Sequence, residues 1–202
     1  MTIEISLEAA QASANFVRLA DIAGIAIDLR YDSTNNFVNR NVYAPSDCAW
    51  LHTHAAHALA TAQLSLATAA PGHQLLVLDA LRPHRVQIAL WNSLQGTGLE
   101  QYLANPSLGS IHSFGMAVDV TVKSANGELD MGTGFDAMQE ESHPEHEAAS
   151  LARGSLNTQH IANRNLLRAA MQGAGFQGIK TEWWHFDFGD KALVRSSYAR
   201  VA

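Results

Sequence analysis

The chain has 202 residues, 47% of them apolar and 16% charged, with a net charge of −6. This is the composition of an ordinary soluble globular protein, long enough for one domain with a sizeable core. The negative balance, with Lys and Arg scattered, gives no electrostatic footprint for nucleic acid, and no apolar run approaches the ~20 residues needed to span a bilayer.

The start, MTIEISLEAAQASANF, carries two acidic residues and lacks the basic start and apolar stretch of a secretory signal. The single cysteine, Cys48, cannot form an internal disulfide. Both point to the cytoplasm. Ten histidines are many for this length and have to be sorted into ligands and bystanders.

In chain order, Ile25–Arg30 alternates apolar and polar residues and reads as a strand, followed by the turn formers of Tyr31–Asn36. Ser46 and Asp47 offer an N-cap for an alanine-rich helix over Cys48–Ala70, which Pro71-Gly72 ends. Leu75–Asp79 is a short, nearly continuous apolar run, expected to be a buried strand. Pro83 can open the next helix, which runs to Leu94 with Val86, Leu90, Trp91 and Leu94 inward. Gly96–Pro106 is loop-like, with a short helical piece at Leu99–Ala104.

Ala117–Val122 puts Val118, Val120 and Val122 on one strand face and Ala117, Asp119 and Thr121 on the other. Asn126-Gly127 marks a hairpin turn, and the polar stretch Gly132–His146 reads as a surface loop. Ser155 or Asn157 caps a helix through Met171, stopped by Gly173 and Gly175. Glu182–Phe188 is the last strand. The mixed order of elements favours one α+β domain spanning residues 1–202, a small antiparallel or mixed sheet with helices mainly on one face.

Two residues of the Ser110–Val122 stretch, His112 and Asp119, read as half of a metal site. A catalytic zinc site takes three protein ligands from His and carboxylate and leaves a fourth position for water. His185 is the third candidate, on a strand face with Trp183 and Asp187, while Trp184, Phe186 and Phe188 form the core face. Glu182 suits a general base, yet an undistorted strand would send it to the face opposite His185. It must therefore lie in an irregular entry to the strand. Arg82, at a strand-to-helix junction, can stabilise an oxyanion, with Asp79 orienting it.

Each of these residues also has a plainer reading. His112 with Asp119 could be a buried hydrogen-bonded pair, Arg82 a salt bridge to Asp79, Asp136 a solvated acid, and His185 a packed core histidine. His52, His54 and His57 are a rival metal cluster, but they lack a nearby carboxylate; His143 and His146 read as loop histidines.

Taken together, the residues resemble the zinc D,D-peptidases, and most closely the D-alanyl-D-alanine dipeptidase branch of the vancomycin-resistance type. S-x-H-x-x-G-x-A-x-D is matched by Ser110, His112, Gly115, Ala117 and Asp119, E-W-W-H by Glu182 to His185, and D-x-x-R-P by Asp79, Arg82 and Pro83. Met131-Gly132-x-x-Phe135-Asp136 with Ser142-His143, and Tyr31 followed by Asn36-Phe37, extend the likeness from about Arg30 to Phe188. The resemblance implies one zinc ion on His112, Asp119 and His185, Glu182 as general base and Arg82 as transition-state partner. It also implies that Tyr31, Ser110 and Asp136 contact the amino end of a small dipeptide substrate. Phe114 stands where an arginine is common, and the Asn92–Ser107 segment is short; both bear on substrate range. The alternatives are a carboxypeptidase or endopeptidase acting on longer peptidoglycan stems, and an inactive zinc-binding module.

Overall fold

The structure, a computed structural model, describes residues 3–202. It begins with the short strand β1 (Glu4–Ile5), helix α1 (Leu7–Gln11) capped by the Ser6 hydroxyl, and strands β2 (Phe16–Arg18) and β3 (Ala26–Ile27). Strand β4 (Trp50–His52) leads into helix α2 (Thr53–Ala69), and strand β5 (Gln74–Asp79) into helix α3 (His84–Leu94). A hairpin of β6 (Ala117–Ser124) and β7 (Gly127–Glu128) follows, then helices α4 (Glu147–Arg153) and α5 (Thr158–Gly173). Strands β8 (Phe176–Gly178) and β9 (His185–Phe188), helix α6 (Lys191–Ser197) and strand β10 (Arg200–Val201) complete the chain.

The main sheet has the order β3-β5-β6-β9-β8, with β7 paired to the end of β6; β3 and β5 are parallel and the other pairs antiparallel. The architecture is α+β with a mixed sheet. Helices α2 and α5 pack on one another, α2 also on β5, and α5 on β6 and β8. Val118, Val120 and Val122 join Leu59 and Leu66 of α2 and Leu167 and Met171 of α5 in the principal core cluster. Among the described residues, no helix is long and apolar enough to cross a membrane.

Several expectations shift in detail. Only Ala26–Ile27 of the expected Ile25–Arg30 strand pairs, because Arg30–Asp32 winds into a 3-10 turn that buries Tyr31. The helix expected from Cys48 starts at Thr53 with His52 as its cap. Asp47 instead accepts the Ala49 N–H at 3.0 Å, and Trp50–His52 pairs with β2. Long-range pairing has overridden a local cap signal. Pro83 is the cap residue of α3 rather than its first helical residue. The hairpin turns at Ala125-Asn126, with Gly127 already paired to Ser124. The Gly132–His146 stretch is a structured loop rather than a free surface one. Arg164, fully buried in α5, donates from Nε to the Met131 carbonyl at 2.8 Å and from Nη2 to the Glu141 carbonyl at 2.9 Å.

Gly115 ends the 3-10 turn Ile111–Phe114 at φ +64°. A Cβ there would lie 2.8 Å from the His52 backbone nitrogen and 2.9 Å from Phe16 Cε1. Gly154, also left-handed at φ +77°, has nothing within 4 Å of its would-be Cβ. Gly115→Ala should therefore cost roughly 2–4 kcal/mol, against about 1 for Gly154→Ala. The melting temperature should fall by ~5–10 °C in the first variant and ~2–4 °C in the second, read by thermal unfolding.

Candidate active site and metal centre

Strand pairing lays a polar row across the sheet. Asp119 of β6 stands opposite Asp79 of β5 on one side and His185 of β9 on the other, after a register shift between Val77 and Asp79. The 3-10 turn just before β6 brings in His112. His112 Nε2, Asp119 Oδ1 and His185 Nδ1 then form a triangle with edges of 3.4, 3.0 and 3.2 Å. Bonds of about 2.0–2.1 Å in a tetrahedron place zinc ligand atoms roughly 3.3 Å apart. The three donors thus make one face of such a tetrahedron and leave the fourth corner to the cavity.

Outer contacts set the tautomers. His112 Nδ1 lies 2.8 Å from the Ala80 carbonyl, which can only accept, so the proton sits on Nδ1 and Nε2 offers its lone pair. His185 Nε2 donates to Asp187 Oδ1 at 3.0 Å, and Lys191 Nζ holds Asp187 Oδ2 at 2.7 Å. Burial works against charge on His185. The Asp187 and Asp119 carboxylates outweigh it and hold its pKa well above the usual value. Burial likewise opposes charge on Asp119, but the two histidines keep its carboxyl well below the usual range. A cation fits this set, displacing a proton from His185 Nδ1.

Asp79 is fully buried and fully engaged. Its Oδ2 accepts from Arg82 Nε at 2.8 Å and Nη2 at 2.6 Å, and its Oδ1 accepts from the Ala80 N–H at 2.8 Å and from the Tyr43 hydroxyl. Arg82 Nη2 also reaches Asp119 Oδ2 at 3.4 Å, and Nη1 donates to Gln87 Oε1 at 3.0 Å. Four contacts occupy four of the five guanidinium donors, so one N–H on Nη1 is left for a ligand. The guanidinium lies over the Tyr31 ring, 5.1 Å from its centroid. Truncating a buried ion pair on one side costs about 3–5 kcal/mol, so Arg82 is structural as well as available for chemistry.

Glu182 lies in the irregular approach to β9. Strand geometry begins only at His185, although the Trp184 carbonyl already accepts the Val120 N–H at 3.0 Å. Alternation therefore does not govern residue 182, and Glu182 Oε2 comes 3.9 Å from His185 Nδ1. Burial pushes its pKa up to about 7, with His185 pulling the other way and Asp119 adding to the rise. The same irregularity changes which tryptophan meets the cavity. Trp184 is buried in the core, as expected, and also lines the cavity; Trp183, expected beside His185, is buried as well and donates from Nε1 to Thr133 Oγ1 at 2.8 Å.

Tyr31 donates from its hydroxyl to Asp136 Oδ1 at 3.1 Å, while Asp136 Oδ2 is buried with no partner. Burial, reinforced by Asp119, drives the Asp136 pKa well above the carboxylate range. Asp136 is held at φ +58°, an unusual conformation for a non-glycine residue. It belongs to the site and is not a solvated surface acid. Ser110 is buried on the wall of the same cavity, which measures about 230 Å³. That is below the 300–1,000 Å³ of drug-sized pockets and suits a small ligand.

The other histidines stay outside. His54 and His57 are exposed, and His54 Nδ1 pairs with the Tyr198 hydroxyl at 2.9 Å. His143, Glu145 and His146 also bring donor atoms within 4.8 Å of one another, but His143 Nε2 is taken by the Tyr102 hydroxyl at 2.9 Å. The sequence reading left Asp187, Lys191, Tyr102 and Arg195 without roles. Asp187 was visible two residues beyond His185 on the same strand face. The other three carry no local signal.

A family model described as D-Ala-D-Ala dipeptidase matches residues 12–202. The D-alanyl-D-alanine dipeptidase of Escherichia coli strain K12 is 38% identical over 179 residues, 86% of this chain and 86% of its own. That of Enterococcus faecalis is 31% identical over 185 residues, covering 83% of this chain and 88% of its own. That of Enterococcus faecium is 27% identical over 196 residues, covering 88% and 92%. On the extent of these matches, the chain belongs to the D-Ala-D-Ala dipeptidase family and is a peptidase.

Proposed function

We propose that this peptidase is zinc-dependent and hydrolyses D-alanyl-D-alanine to two D-alanines, with Glu182 as general base. The observation that carries the reading is the donor triangle of His112, Asp119 and His185 with a carboxylate of near-neutral pKa beside it. A zinc ion held by the three would lower the pKa of a coordinated water from ~15.7 towards ~7 and polarise a carbonyl oxygen.

The chain supplies the rest. Glu182, poised near neutrality, takes the proton of the attacking water and hands it to the leaving amine nitrogen. The remaining Nη1 hydrogen of Arg82 meets the negative charge that develops on the carbonyl oxygen. Asp79, Gln87 and the Tyr31 ring hold the guanidinium in place before the substrate arrives. Asp136, with Oδ2 unpartnered, receives the free ammonium of the substrate, and the Tyr31 hydroxyl fixes its other oxygen. An acid buried at that point restricts the enzyme to substrates with a free amino end. This favours dipeptides over longer peptidoglycan stems, and the catalytic pair Glu182 and Arg82 favours an enzyme over an inactive zinc module. Ser110 offers a further hydroxyl on the cavity wall.

Glu182→Gln should lower kcat by about 10²–10⁴-fold while the chain still binds one zinc ion, as read by steady-state kinetics and metal analysis. Near-normal turnover in that variant would remove the general base. Asp136→Asn should raise KM for D-Ala-D-Ala and stabilise the metal-free protein. The folded pKa of Asp136 lies above its unfolded value of about 4, so the folded state keeps a proton that the unfolded state releases. Stability is therefore whole below about pH 4 and falls as pH rises towards the folded pKa. The Asn variant should melt with the wild type at pH 3.5 and above it at pH 7 to 8, as measured by thermal unfolding across pH.

A further inference from the structure

We infer that Arg195 is the anchor for the substrate's C-terminal carboxylate, an inference that rests on the dipeptidase reading above. A free dipeptide is a zwitterion, and Asp136 answers only its ammonium. Burying the carboxylate in the same cavity costs several kcal/mol unless a cation meets it. The cavity wall carries three cationic side chains besides its histidines: Arg82, Lys191 and Arg195.

Two of the three are already committed. Arg82 has four of its five donors on Asp79, Asp119 and Gln87, and its last N–H faces the reacting carbonyl in the proposed mechanism. Lys191 is neutralised by Asp187 at 2.7 Å, and that contact supports the His185–Asp187 hydrogen bond. Arg195 differs from both. Its Nε donates to the Gly109 carbonyl at 3.1 Å, which fixes the guanidinium by its stem side. Among the described residues no carboxylate lies within salt-bridge distance of it.

The position suits the role. Arg195 sits in α6, which packs against the 3-10 turn carrying His112. Its anchor, Gly109, is three residues before that ligand and immediately precedes the cavity-lining Ser110. A guanidinium held through Nε presents its two Nη groups together, the arrangement that matches two carboxylate oxygens. Ammonium and carboxylate of one small substrate then contact opposite charges in a single cavity, with the peptide bond between them.

The test compares D-Ala-D-Ala with its C-terminal amide, which keeps the ammonium and peptide bond and removes the negative charge. Calorimetric binding to the zinc-loaded Glu182→Gln enzyme is measured with and without Arg195→Gln, so recognition is read even where no turnover occurs. The free acid should bind the Glu182→Gln enzyme better than the amide. Arg195→Gln should weaken the acid by about 10- to 100-fold and leave the amide within about twofold. In the otherwise wild-type enzyme the same substitution should raise KM for the acid and change kcat little. Equal weakening of acid and amide would show that Arg195 only shapes the Gly109–Ser110 turn, and no weakening of either would remove it from recognition; both overturn the inference. If the wild type turns over no dipeptide while the acid-specific loss persists, the dipeptidase reading fails and the carboxylate site stands.

Discussion

Two carboxylates, Asp79 and Asp119, are buried side by side on neighbouring strands, and the site is built to make that tolerable. Like charges at such a position repel strongly in a poorly solvated interior, and each also loses its water. Arg82 spans them from one flank, and His112 and His185 approach Asp119 from the other. The Ala80 carbonyl, the Tyr43 hydroxyl, Gln87 and Asp187 then satisfy what these groups leave open. The candidate metal triangle follows from this charge balance, because the ring nitrogens turned towards Asp119, His112 Nε2 and His185 Nδ1, are the atoms a cation would use.

The sheet divides the labour. On β6 the valines at 118, 120 and 122 enter the core shared with α2 and α5, while Asp119 faces the cavity. Rigid, hydrogen-bonded strands therefore carry Asp119 and His185, two of the three proposed ligands, and the 3-10 turn leading into β6 carries His112. The groups proposed to meet the substrate come from less regular backbone: Tyr31 from a 3-10 turn, Asp136 from a loop at positive φ, and Glu182 from the approach to β9. Arg164 ties the Asp136 loop to α5 through backbone carbonyls, so the loop is irregular without being loose. An unpartnered buried oxygen on Asp136 and a near-neutral Glu182 both cost stability, as expected where groups are kept ready for a ligand.

The sequence by itself determined the elements whose patterns are local. A nearly continuous apolar run marked β5, apolar alternation marked β6, Ser155 or Asn157 marked the start of α5, and the mixed order of strands and helices marked an α+β fold. Motif spacing also singled out His112, Asp119, His185, Arg82, Asp79 and Glu182, which the tertiary structure gathers around one cavity. What only the tertiary structure decided are the features set by long-range contacts. The pairing of Trp50–His52 with β2 moved the start of α2, and the late onset of β9 turned Glu182 and Trp184 to the cavity. Alternation holds only where a strand is laddered to its neighbours, so no count along residues 182–188 could give that result. Asp136, a substrate contact by resemblance but equally readable as a solvated acid, is enclosed by Tyr31 and its loop, and Arg195 stood apart until α6 packed against the turn of His112. Burial and electrostatic partnership depend on residues far apart in the chain, and only the fold brings them together.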